Sequence, residues 1–138
     1  MKTSTKVILV TAAGALPSFL LSGTIWPDVA GAASPTPNQL PFFIFLSMLE
    51  SVAFGLGIAF LVWGWRVVSN ASQHKKSALS AYASIAWLLI SWWPHDNMHR
   101  VNGEDMAGLL RIEYMFHFTL IVAAALVAWH FVRSAREA

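Results

Sequence analysis

The residues of this chain that can do chemistry gather between positions 92 and 117, where three of the five histidines and four of the seven acidic residues fall. His95 and His99 stand four apart with Asp96 between them, and Glu113 and His117 repeat that spacing downstream. Residues four apart share one face of a helix, a turn from each other, so each pair offers two donor groups to one point. Imidazole and carboxylate are the donors that copper, iron, manganese and zinc accept. His95, Asp96, His99, Glu113 and His117 are therefore the expected metal ligands. Met98, Met106 and Met115 lie close by in sequence and tilt the choice toward copper, because thioether sulfur suits Cu(I). The di-iron carboxylate pattern, which uses Glu and His three apart in two copies, is not met by a single pair at four. No cysteine is present, which removes thiolate centres, iron–sulfur clusters and disulfides.

A second chemical position is Glu50, the single charge in the long apolar run from 40 to 65. It lies about ten residues into that run, ~15 Å deep at 1.5 Å per residue and near the middle of a bilayer. His117, eleven residues past Met106, reaches a similar depth from the same side, so the two are expected to meet. An ionisable group at that depth costs at least ~2.5 kcal/mol and calls for a partner. Glu50 is expected as ligand or proton acceptor, and Tyr114 as a proton donor or as the residue that orients a carboxylate. Two other functions use the same residues. In a small transporter or proton-coupled accessory subunit, Glu50 and His117 form an intramembrane relay; in an electron-transfer subunit, His117 and another histidine hold a haem. The plainer alternatives are an interhelical hydrogen bond that only fixes packing and, around Asp96, a solvated loop.

The elements that must position these groups are membrane helices. Hydrophobic residues make up 57% of the chain and charged ones 12%, and a mean hydropathy of +0.56 lies outside the range of soluble domains. The expected fold is all-α, a single domain over 1–138 forming a bundle of four transmembrane helices, with spans near 7–26, 40–65, 77–93 and 106–132. Pro17 is placed to kink the first. Pro27, Pro35 and Pro37 exclude a regular helix between the first two spans. Pro94 ends the third, after which 95–105 is a polar loop; Asn102-Gly103 marks a turn, and Glu104 and Asp105 oppose the dipole of the last helix. Thr11, Gly14 and Ser18, and the strip Ser51, Gly55 and Ala59, invite close helix packing. His130, beside Trp129, reads as interfacial.

Orientation follows from the cations. With four crossings, Lys2, Lys6, Arg66, Lys75, Lys76, Arg133 and Arg136, seven of the nine basic residues, fall on one side, which predicts both termini in the cytoplasm. The metal site then lies at the outer side of a bacterial plasma membrane. Because the basic residues serve orientation, the net charge of +2 implies no nucleic-acid partner. The bilayer is the expected partner, together with further copies of the chain or a larger membrane complex. A rival for the first span is a cleavable leader ending near Ala30-Gly31-Ala32; the long apolar stretch favours a retained span.

Overall fold

The computed structural model describes residues 2–29, 34–71, 74–102 and 105–137, and these are helices and their connections, with no strand among them. Helix α1 covers Thr3–Leu20, α2 Ser22–Ile25, α3 Leu40–Asn70, α4 Lys75–Ile90, α5 Trp92–Asn102 and α6 Met106–Ile112. A π-helical turn, Glu113–Phe118, joins α6 to α7, Thr119–Glu137. The Ala30-Gly31-Ala32 and Gly103-Glu104 positions lie outside the described residues.

Three stretches are long and apolar enough to cross a membrane, Thr3–Leu20, Leu40–Asn70 and Met106–Arg136. They match the first, second and fourth expected spans. The third is different. Helix α4 has 16 residues, about 24 Å at the α-helical rise and short of a ~30 Å hydrocarbon core. Pro94 explains where it stops: it has no N–H for the Ile90 carbonyl, and its ring crowds that carbonyl. The chain does not then become a loop. His95 N donates to Ser91 O at 3.0 Å, and α5 begins at Trp92, so Pro94 sits in its first turn, where a missing N–H costs nothing. The stretch expected to be a polar loop from 95 is helical as far as Asn102. Helix α6 starts as its acidic entry predicts, with the Asp105 carboxylate accepting from Ala107 N at 3.2 Å and Gly108 N at 2.9 Å.

The long helices pack in chain order, α1 against α3, α3 against α4 and α4 against α7. Small residues set how close they come. A Cβ added at Gly14 would lie 2.9 Å from Gly55 Cα, and one at Gly55 would strike the Thr11 carbonyl and lie 2.8 Å from Ala15 N. The two backbones therefore touch, and Ser51, Gly55 and Ala59 are all buried. Gly57 gives the same access to Leu89 and Ile90 of α4. Polar ties cross the other seams: Tyr82 donates to Leu61 O at 2.5 Å, and Ser77 Oγ pairs with His130 Nδ1 at 2.8 Å. His130 is 3% exposed, a buried link between α4 and α7. Outward, α1, α3 and α7 present Leu16, Phe42, Val62, Ile121 and Phe131, apolar faces that suit lipid.

Candidate metal centre

Helix α5 places His95 and His99 one turn apart, and the π-turn brings His117 against them. His95 Nε2 lies 2.8 Å from His117 Nε2 and 3.1 Å from His99 Nε2. One donor nitrogen from each of the three falls within 4.8 Å of the others. A tetrahedral ion bonded to nitrogen at 2.0–2.1 Å spreads its ligand atoms to about 3.3 Å, close to the two distances that His95 makes. This group can hold a metal ion.

Glu113 stands behind this group. Its Oε2 lies 2.7 Å from His117 Nδ1, so Nδ1–H donates to the carboxylate and the lone pair of Nε2 is left facing His95. The i,i+4 pair is thus joined as its spacing implies, with the carboxylate orienting an imidazole. A π-turn adds a residue to the helical register and recurs at functional sites. Here it is braced from two sides. Thr119 Oγ1 donates to Met115 O at 2.5 Å while accepting from Trp87 Nε1 at 2.9 Å, and Trp87 stacks on Phe116 at 5.9 Å. Phe116 in turn packs against His95 at 5.4 Å. Thr119, Trp87 and Phe116 were not anticipated from the sequence. Thr119, the one hydroxyl in the apolar run 118–129, is the signal that could have pointed to them.

Asp96 and Glu50 form a separate feature. Their carboxyl groups are hydrogen-bonded to each other, whereas the partners of His117 are His95 and Glu113. The expected meeting of Glu50 with His117 is replaced by one with Asp96, because α5 rather than a loop lies against α3. Glu50 is 3% exposed. It lines a cavity of about 590 Å³ together with Ser47, Asp96, His99, Arg100 and Asp28. Arg100 bonds Asp28 Oδ1 at 2.9 Å and Trp26 O at 2.6 Å, and Ser22 Oγ donates to Asn97 Oδ1 at 2.7 Å. These ties hold α5 to the end of the first helical segment. Tyr114 is 72% exposed, and Met106 and Met115 are 69% and 52% exposed; no hydrogen bond links the Tyr114 hydroxyl to the histidines among the described residues. No family model, curated protein or solved structure matches this chain.

Proposed function

We propose that the protein is a membrane metalloprotein in which His95, His99 and His117 hold a copper, iron or zinc ion, with Glu113 orienting His117. The observation that carries this is the convergence of three Nε2 atoms from two elements, with His95–His117 at 2.8 Å and His95–His99 at 3.1 Å. Three imidazoles with a fourth position open describe a site that can bind water or substrate. Such an ion polarises a bound oxygen atom or, if copper or iron, exchanges electrons. The protein is accordingly a redox enzyme or a subunit of one, with Glu50 and Tyr114 as the ionisable groups available nearby.

The haem alternative is the less favoured. Axial imidazoles on opposite faces of a porphyrin stand ~4 Å apart, twice a metal–nitrogen bond of about 2 Å, and the 2.8 Å between His95 and His117 leaves no slot for a ring. A relay from Glu50 to His117 is weakened by the pairing of Glu50 with Asp96. In the proposed setting α4 and α5 complete a fourth crossing, both termini are cytoplasmic and the centre faces outward in a bacterial plasma membrane. The apolar outer faces leave room for further copies or a larger complex. The distribution of basic residues supports this orientation. Metal analysis of the purified protein tests the reading. About one ion per chain is expected, lost in His99→Ala and His117→Ala, and a metal-free wild type that keeps its native function would sink it.

A further inference from the structure

The cavity beside the histidines has a role that rests on the metal reading. We propose that it is the route by which a divalent cation reaches the three-histidine centre, with the Glu50–Asp96 carboxyl pair as a transient oxygen site on the way. His99 belongs to both the donor group and the cavity wall, so an ion in the cavity already adjoins one of its final ligands.

Charge selects the occupant. Arg100 is bonded to Asp28 at 2.9 Å, and Glu50 and Asp96, hydrogen-bonded through one shared proton, keep a net negative charge on the lining; a divalent cation binds there by displacing that proton, since oxygen donors take such ions. Size is permissive: about 590 Å³, at ~30 Å³ per water, holds roughly 20 waters, so an ion can enter with most of its hydration shell. Two carboxylates bind copper or zinc less firmly than three imidazoles do, and transfer to the histidines therefore runs downhill. A pair that only tied α3 to α5 would need no ionisable group at Glu50, a residue 3% exposed in a membrane-crossing helix, where a carboxyl is costly.

The test uses the metal-free full chain in lipid nanodiscs, mixed rapidly with Co²⁺ alone and followed by the visible d–d bands of the nitrogen-bound ion. Clefts of one charge sign raise cation on-rates 10- to 1,000-fold, so Glu50→Gln should load at least about tenfold more slowly. Ser47→Leu, which fills the cavity without touching a ligand or a charge, should slow loading as well and guards against misfolding of the first variant. Glu50→Asp should recover most of the rate. Loading of both Glu50→Gln and Ser47→Leu at the wild-type rate would overturn the route while leaving the metal centre standing. Absence of the bands in the wild type would overturn the metal reading itself.

Discussion

His117 is held by two neighbours of different kinds, and separating them gives the sharpest expectations at the residue scale. If Glu113 acts by fixing the imidazole, Glu113→Gln leaves three nitrogens in place but weakens the hold on their orientation. Metal affinity should then fall about 10–100-fold, read by competition with a chelator. Glu50 should be energetically coupled to Asp96 and not to His117. A double-mutant cycle of Glu50→Gln with Asp96→Asn should return an interaction of about 0.5–3 kcal/mol, and the cycle with His117→Gln a value within error of zero; the reverse pattern would restore the partner that helix depth alone implied.

At the scale of elements, the seam between α1 and α3 depends on two glycines. A methyl at Gly55 meets backbone atoms, Thr11 O and Ala15 N, that no rotamer change can move aside. Gly55→Ala should therefore force α1 away and cost about 1–3 kcal/mol. Gly23→Ala is the control, since nothing lies within 4 Å of a Cβ there. Equilibrium unfolding in detergent would compare them, and equal stabilities would mean that α1 does not pack on α3 through Gly55. The close approach at Gly14, Ser51 and Gly55 was legible in the sequence because small residues every fourth position leave a continuous groove whatever the neighbour. The α4–α5 boundary was only half legible. Pro94 dictates the break at Ile90, but whether a chain resumes a helix or enters a loop depends on what its next residues pack against. Trp93 and Asn97, both buried, supply that packing.

Across the whole molecule, the topology is open to a direct experiment. Reporter fusions at Ser72 and Asn102 should mark the cytoplasm and the outside respectively, as the basic residues at both termini and in the 66–76 turn predict. The opposite result would turn the three-histidine group to the cytoplasmic face. The centre lies at the end of the molecule where α5, the π-turn and the segment after α1 meet. Arg100, bonded to Trp26 O and Asp28, is the clasp between α5 and the segment after α1.

By itself the sequence determined the apolar helices, the small-residue seams and the identity of the histidines, because hydropathy, side-chain size and i,i+4 spacing are local properties that survive any tertiary arrangement. It also joined Glu113 to His117, a contact within one helical turn. Only the tertiary structure decided which groups share a point. It set His117 against His95, 22 residues away, moved Glu113 behind His117 and placed Asp96 and Glu50 together on the wall of a cavity that His99 also lines. Those outcomes depend on the angle at which α5 leaves Pro94 and on the register shift of the π-turn. Neither is a property of single residues, since a rotation of one residue on either element, about 100° on an α-helix, would have turned a different set of side chains toward the same place.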